Sequence, residues 1–293
     1  MSTEVQVQTR VPTLDLVGRL RRLIAYRELL INLVRKELRV RYKESVLGFL
    51  WSMLNPLLYL AVFYVVFNFF LPNRGVPYFT IFLLSGLLGW TLFSSSLAGG
   101  ANSIVGNGAL LKKVNFPREV LPLATVGASV FHFLLQMLVL LGVLILIGYP
   151  FFGENLLLVP VALTVEVLLL AGLVLLVSSV TVYLRDVQHF VELALLAWFW
   201  MTPIVYQVAI VFDRLAPKGL FGLYLLNPMA PITLAFQRAF YNRVTPQGIP
   251  ILLDAPLSWY MARLGLVALV ALALFVVGLA VFARAEGNFA EEL

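Results

Sequence analysis

LRVRYKESVLGFLWSMLNPLLYLAVFYVVFNFF, residues 38–70, decides the fold class of this chain of 293 residues. The stretch opens with three cations, Arg39, Arg41 and Lys43, and its remainder is apolar. The run Val46–Leu71 holds 26 residues without a charge, and about 20 apolar residues suffice for a helix to cross a bilayer. We therefore predict a transmembrane helix with a basic region at its N-terminal end.

The composition of the whole chain favours a protein with several such helices. Hydrophobic residues make up 61% of it and charged residues 12%, whereas soluble domains are about 25% charged. The absence of cysteine excludes disulfides and thiol chemistry. The first 15 residues are polar and lack the apolar core of a signal peptide, so we expect none. The apolar runs predict an all-α polytopic membrane protein with six transmembrane helices, at about 46–71, 77–97, 120–148, 157–184, 193–212 and 264–283.

Segments beside these spans predict helices of another kind. Residues 13–30 place apolar side chains at helical spacing among several arginines, which predicts a basic amphipathic helix. Such a helix lies along the membrane interface or packs on a partner protein. A second basic helix is expected over 28–43. Residues 219–241 contain Asn227-Pro228 and Pro231, which favours a re-entrant pair of short helices before the last span.

The placement of cations orients the predicted spans. Fifteen of the 21 Lys and Arg residues fall on the side that carries both termini and the loops at 112–119 and 185–192. Basic residues favour the cytoplasmic side, so we predict that both termini are cytoplasmic. These cations lie beside the membrane, which explains the net charge of +6 without a nucleic acid. The predicted divisions are a cytoplasmic segment over 1–45, one six-span domain over 46–284 and a cytoplasmic tail over 285–293.

The sequence shows no catalytic or metal-binding pattern. The phosphate-loop pattern G-x-x-x-x-G-K-[ST] does not occur, since no Gly precedes a Lys. His132 has no acidic or histidine neighbour at metal-ligand spacing, so we interpret it as structural or pore-facing; His189 lies in the 185–192 loop. Glu166 is the one acid inside a predicted span, and such an acid is a candidate proton carrier. We expect no catalytic site, metal or bound cofactor in this chain.

Aromatic residues are abundant in the first and fifth predicted spans. In the fifth span they surround a helix break at Thr202-Pro203. Such rings are typical of interfacial belts and core packing. They equally suit a transport channel that is lined with aromatic ring faces, along which the C–H surfaces of sugars can move. The candidate channel-lining residues are Tyr59, Phe63, Phe67, Trp198, Trp200 and Tyr206.

Six motifs together resemble the membrane subunits of type-2 ABC exporters that move polysaccharides. They are R-x-R-Y-K-x-S-x-L-G-x-L-W at 39–51, Leu-Asn-Pro-Leu at 54–57, Lys-Lys-Val-Asn-Phe-Pro-Arg-Glu at 112–119, Tyr-Leu-Arg-Asp-Val at 183–187, Thr-Pro-Ile at 202–204 and Leu-Asn-Pro at 226–228. Their order and spacing extend from about residue 20 to 285. The set is similar to the branch that exports O-antigen, capsule and teichoic acid.

This resemblance implies a homodimer in a bacterial cytoplasmic membrane, paired with two copies of a separate ATP-binding subunit that holds ATP and Mg²⁺. It implies that 219–241 caps the outer mouth, and that the first amphipathic helix and residues 103–119 contact the ATPase. The candidate ATPase-coupling residues are Lys112, Lys113, Asn115, Phe116, Arg118, Glu119, Arg185 and Asp186. The candidate substrate-entrance residues are Arg39, Arg41, Tyr42, Lys43 and Ser45. Cationic donors there suit the pyrophosphate of a lipid carrier, although simple anchoring to the bilayer is the alternative.

The expected function is the membrane subunit of an ATP-driven exporter of a lipid-linked cell-surface polysaccharide. One alternative in the same superfamily is an exporter of drugs or small lipids. A proton-coupled secondary transporter that uses Glu166 is an alternative from another class, although no inverted repeat is apparent. An intramembrane transferase would need an acid–base pair, which the sequence does not show.

Overall fold

The computed structural model describes residues 16–42, 77–114, 116–244 and 250–292, with scattered positions between 54 and 70. Regular secondary structure in this part of the chain is entirely helical, which confirms the predicted all-α class. The α-helices in chain order are α1 Leu16–Ala25, α2 Arg27–Tyr42, α3 Phe79–Asn102, α4 Gly108–Leu111, α5 Val120–Leu146, α6 Leu158–Tyr183, α7 Val187–Met201, α8 Val208–Leu215, α9 Phe221–Tyr224, α10 Met229–Phe240, α11 Leu257–Ala285 and α12 Phe289–Glu292.

Within the described residues, four helices are long and apolar enough to cross a bilayer. They are α3, α5, α6 with the turn before it, and α11 with the turn after it. Proline marks the start of several helices: Pro122, Pro160 and Pro231 are the third residues of α5, α6 and α10. The N–H that proline lacks would have no partner within the helix at that position. These prolines therefore mark the first turn of each of the three helices.

Helices α6 and α11 form the most extensive helix pair. A Cβ atom on Gly172 would lie 2.6 Å from the backbone N of Phe275, and one on Gly278 would lie 2.6 Å from the carbonyl O of Gly172. The two glycines thus bring the backbones closer than larger residues would allow, as small residues do between membrane helices. Helix α3 packs on α6 and also on α5, α7 and α10.

Buried apolar side chains form two clusters. The larger cluster is the centre of the bundle and includes Phe93, Leu169 and Phe236. The smaller cluster includes Leu33 of α2, Phe116 of the loop before α5, and Phe289 after α11. The N-terminal helices, that loop and the C-terminal segment therefore share one apolar contact region at one end of the molecule.

Three predicted spans differ by five residues or more from the helices that the structure shows. Helix α7 begins six residues before the predicted 193–212 span and ends at Met201. It ends there because Thr202 precedes Pro203 and is held extended, at φ −105° and ψ 139°. This confirms the predicted break at Thr202-Pro203, and the separate helix α8 begins at Val208. Helix α11 begins at Leu257, seven residues before the predicted start of 264–283, because Pro256 and not a charged residue precedes it.

Helix α3 also runs beyond its predicted end at residue 97, as far as Asn102. The hydroxyl of Ser94 donates to the Trp90 carbonyl at 2.8 Å, so a polar residue is satisfied within the helix. Helices α5 and α6 occupy the third and fourth predicted segments, and 219–241 forms α9 and α10. The first predicted span, 46–71, lies outside the described residues apart from scattered positions.

Candidate functional site

A cluster of charged side chains ties the N-terminal helix to two distant parts of the chain. The Arg19 guanidinium of α1 donates to the carboxylates of Glu119 and Glu286. Arg19 and Glu119 have relative exposures of 6% and 3%. Burial alone would lower the pKa of Arg19, but Glu286 and Glu119 raise it above its ordinary value. Together with Arg118, these residues form what we call the arginine clamp.

Arg118 adds contacts to the C-terminal segment. Its guanidinium donates to the backbone carbonyl of Glu286 and lies 6.0 Å from the centre of the Phe289 ring. Phe289 is fully buried and meets Phe282 edge-on at 5.3 Å. The clamp therefore holds α1, the start of α5 and the end of α11 together. A cavity of about 400 Å³ beside it is also lined by Arg22.

The two loops predicted to couple to an ATPase meet at this same end. The Tyr183 hydroxyl at the end of α6 donates to the Ala285 carbonyl at 3.1 Å, one residue before Glu286 of the clamp. Gln188 Nε2 at the start of α7 donates to Asn102 Oδ1 at the end of α3 at 3.0 Å. The loops at 112–119 and 184–186 thus both border the segment that follows α11.

The predicted coupling residues fall into an exposed set and an inward-facing set. The exposed set is Lys112, Lys113, Arg185 and Asp186. Phe116 and Glu119 are buried, and Arg118 is partly buried against the C-terminal segment. Asn115 lies outside the described residues. A partner can reach the exposed set directly, whereas the inward-facing set holds the loop in place.

The predicted substrate entrance falls at the end of α2. Arg39 is exposed, and the α2 backbone continues through Arg41 to Tyr42. Lys43 and Ser45 lie outside the described residues. Helix α2 packs on α5.

Helix α2 is also held to the segment after α3. Lys36 Nζ donates to Asn107 Oδ1 at 2.7 Å. Asn107 Nδ2 donates in turn to the Ser103 carbonyl at 2.9 Å. The basic end of α2 is thereby fixed beside the end of α3.

An asparagine side chain joins the end of α7 to the start of α10. Asn227 Oδ1 accepts from Trp198 Nε1 at 2.7 Å and from the Met229 backbone N at 3.0 Å. Its Nδ2 lies 3.2 Å from the Met201 carbonyl and 3.1 Å from Thr202 Oγ1 and donates to both. One amide thus satisfies polar groups on both sides of the helix break. We call Trp198, Thr202 and Asn227 the asparagine joint.

The predicted channel-lining residues of the fifth span face different surroundings. Trp198 is partly buried and meets Phe93 edge-on at 4.9 Å, whereas Trp200 is 62% exposed. The Tyr206 hydroxyl lies 3.1 Å from that of Tyr224. Trp198 thus packs within the bundle and Trp200 faces away from it. The first-span candidates outside the described residues are Tyr59, Phe63 and Phe67.

Three tyrosines surround an arginine at the end opposite the clamp. The Arg243 guanidinium lies 4.8 Å from the Tyr78 ring centre and 5.2 Å from that of Tyr149, and its Nε donates to the Tyr149 hydroxyl at 3.2 Å. The Tyr149 hydroxyl donates to the Tyr241 carbonyl at 2.6 Å. Burial raises the pKa of Tyr149 to about 12, and Arg243 opposes the rise. These contacts join the start of α3 to the ends of α5 and α10.

Glu166 is fully buried in α6. Its Oε2 lies 3.3 Å from where a Cβ atom on Gly89 would be, and in the described part of the chain its two oxygens have no hydrogen-bond partner. A proton carrier must meet water or substrate in some state, and here the carboxyl is enclosed by packed helices. His132 lines a cavity of about 390 Å³ between α2, α3 and α5, and His189 is exposed.

The described part of the chain is thus a helical membrane protein, with apolar helices of spanning length and a cluster of charged side chains at one end. The family model described as ABC-2 type transporter matches residues 28–241, and the chain belongs to this family. It is a multi-pass membrane protein. The family match confirms the predicted resemblance to ABC exporter membrane subunits.

Curated relatives cover most of the chain. It is 34% identical over 242 residues to the O-antigen export system permease protein RfbA of Myxococcus xanthus, which covers 81% of this chain and 90% of that protein. It is 31% identical over 266 residues to RfbA of Klebsiella pneumoniae, which covers 91% and 95%. It is 24% identical over 225 residues to the polysialic acid transport protein KpsM of Escherichia coli, which covers 74% and 82%.

Sequence reasoning named Arg118 and Glu119 of the clamp but missed Arg19, Glu286 and the tyrosines around Arg243. It treated Arg19 as one cation among many, although Arg19 lies one helical turn from Leu23, which packs on the smaller cluster. A cation on the apolar face of a helix is a signal for a buried acidic partner. Glu286 and the tyrosines around Arg243 have no comparable local signal, because their partners are distant in sequence.

Proposed function

We propose that this chain is the membrane subunit of an ATP-driven exporter of a lipid-linked cell-surface polysaccharide. The observation that carries the proposal is similarity over nearly the whole length to permeases named for O-antigen export. The chain itself has no catalytic role, and ATP and Mg²⁺ bind the separate ATP-binding subunit. The complex is a homodimer of this chain with two ATP-binding subunits, in the cytoplasmic membrane of a bacterium.

The proposal includes six membrane crossings with both termini in the cytoplasm. Contact between Arg19 and Glu286 supports an even number of crossings, because it brings the two terminal segments to the same end. Helix α2 is fixed at the clamp end, whereas α3 begins about 36 Å away at the other end. This separation supports a crossing by the chain between them, and we propose the uncharged run 46–71 for that crossing. Helix α7 is the fifth span, and α9 with α10 is the re-entrant pair.

Coupling in this proposal passes through the charged end. ATP binding moves the partner subunits against the exposed residues Lys112, Lys113, Arg185 and Asp186. The arginine clamp transmits that movement to α1, α5 and α11, since it contacts all three. A buried charged cluster suits this role because its members resist separation.

The substrate path is proposed from the entrance and the aromatic residues. Arg39, Arg41 and Lys43, with Tyr42 and Ser45 beside them, receive the pyrophosphate of the carrier at the cytoplasmic interface. Aromatic rings then line the path across the membrane. Those proposed for this are Tyr59, Phe63, Phe67, Trp200 and Tyr206.

The test is a double charge reversal, Lys112→Glu with Lys113→Glu. Both side chains are exposed and carry no clamp contact, so folding is expected to be unchanged. We expect at least a tenfold loss of surface polysaccharide in a complemented null strain, while the reconstituted complex still hydrolyses ATP. The matched control is Lys218→Glu, an exposed lysine at the other end. Normal export by the double variant would refute this coupling surface.

The null strain separates the main proposal from its alternative. A polysaccharide exporter leaves finished polymer inside the cell when it is deleted. An exporter of drugs or small lipids leaves polymer at the surface unchanged. Surface polymer is measured on intact cells, and internal polymer after lysis.

A further inference from the structure

A further cavity lies at the end of the bundle opposite the arginine clamp. Its volume is about 560 Å³, and it lies between α8, α9, residues 250–256 and the first two turns of α11. Because α11 has 29 residues, this cavity is about 40 Å from the clamp. Its volume is within the roughly 300–1,000 Å³ that is usual for small-molecule sites. We call it the tryptophan pocket.

Aromatic rings line this pocket. Trp259 is half-buried, and the Arg263 guanidinium lies 5.3 Å from its ring centre. Phe212 and Phe221 meet edge-on at 5.0 Å on another side. Buried Leu252 contributes to the lining between them. The pocket thus offers flat apolar ring surfaces beside one fixed cation.

Two carboxylates border the same space. Asp213 and Asp254 are exposed, and neither makes a hydrogen bond or ion pair in the part of the chain that the structure describes. These two are therefore available to accept hydrogen bonds from a ligand.

We propose that the tryptophan pocket binds a neutral sugar unit of the polymer as it leaves the transporter. This inference rests on the proposed function. A sugar ring has a C–H face that suits Trp259, and its hydroxyls donate to Asp213 and Asp254. Arg263 donates to a sugar oxygen. With two carboxylates and one cation, the pocket has a net negative charge. It therefore disfavours acidic sugars and phosphate, because like charges repel.

The experiment uses the full-length protein in lipid nanodiscs and ligand-observed NMR titrations. The neutral probes are maltotriose, mannotriose and chitotriose, and the acidic probe is trigalacturonate. We expect saturable binding of at least one neutral probe and none of the acidic one. Trp259→Ala should weaken that binding about tenfold, which corresponds to 1.4 kcal/mol. Phe190→Ala, a change to an exposed aromatic residue at the clamp end, should leave it unchanged.

A second variant tests the pocket independently, in case Trp259→Ala does not fold. Asp213→Asn with Asp254→Asn breaks no hydrogen bond or ion pair of the described residues, so it should fold normally. It should bind the neutral probe severalfold more weakly and admit trigalacturonate. Absence of neutral binding, or equal binding by Trp259→Ala, would overturn the pocket. Export of polysaccharide is measured separately in cells. If cells export polysaccharide but the protein binds no sugar probe, the proposed pocket is refuted and the proposed function is not. If the protein binds the probe but cells export no polysaccharide, the proposed function is refuted and the pocket is not.

Discussion

The arginine clamp and the asparagine joint both hold broken or terminal helices in place, but they do so with different chemistry. The clamp uses charged groups from three segments, and Arg19 is separated from its partners by 100 and 267 residues. The joint uses an amide, an indole and a hydroxyl that are all neutral. Helix α7 starts at the charged end, so its last turn at the joint is about 22 Å deeper along the bundle.

That difference in depth explains the difference in chemistry. A charged side chain far inside a bilayer is costly, whereas a satisfied amide is tolerated. At the end of the bundle, charged groups can pair and still be close to water. The clamp therefore suits a junction that must respond to a partner, and the joint suits one that keeps a helix break fixed.

The largest expected effect is that of Arg19→Ala. This change leaves Glu119 buried without its cation, and breaking a buried pair by removing one partner costs about 3 kcal/mol or more. We expect a clearly lower melting temperature in detergent and faster proteolytic cleavage within α1. Arg22→Ala is the matched control, since Arg22 is exposed on the same helix. Equal melting temperatures for the two variants would show that the clamp does not hold α1.

Sequence reasoning predicted the parts of this fold that are encoded locally. Helices α5 and α6 were predicted because their long uncharged runs require a bilayer or a core. The break at Thr202-Pro203, which ends α7, is also predicted locally, because proline disfavours a helical residue before it. The predicted starts of α7 and α11 are wrong because they follow the charged residues Glu192 and Arg263, which do not end a helix. The contact between Arg19 and Glu286 spans almost the whole chain, so no local pattern contains it.

The next effect in size is that of Asn227→Ala. This variant removes four hydrogen bonds and leaves several polar groups at the helix break without a partner. We therefore expect the free energy of unfolding to fall by about 2 kcal/mol. The loss is smaller than at the clamp because every group involved is neutral. Thermal unfolding in the same detergent measures it.

Trp198→Phe is the control for the joint. It removes the indole N–H bond to Asn227 but keeps a ring against Phe93, so its cost should be about 1 kcal/mol. If Asn227→Ala lowers the free energy of unfolding no more than Trp198→Phe does, the amide does not stabilise the helix break. Ring packing would then be what stabilises it.

The smallest effect on stability is expected for Trp200→Ala, which separates the joint from the proposed conduit. Trp200 lies two residues from Trp198 but is 62% exposed, and exposed substitutions usually change stability by less than about 0.5 kcal/mol. If exposed rings line the substrate path, this variant should slow polysaccharide export severalfold while its melting temperature stays that of the native protein. Export at the native rate would assign Trp200 to contact with lipid. A lower melting temperature would instead show that Trp200 stabilises the helix break, as Trp198 does. The two tryptophans would then not have separate roles.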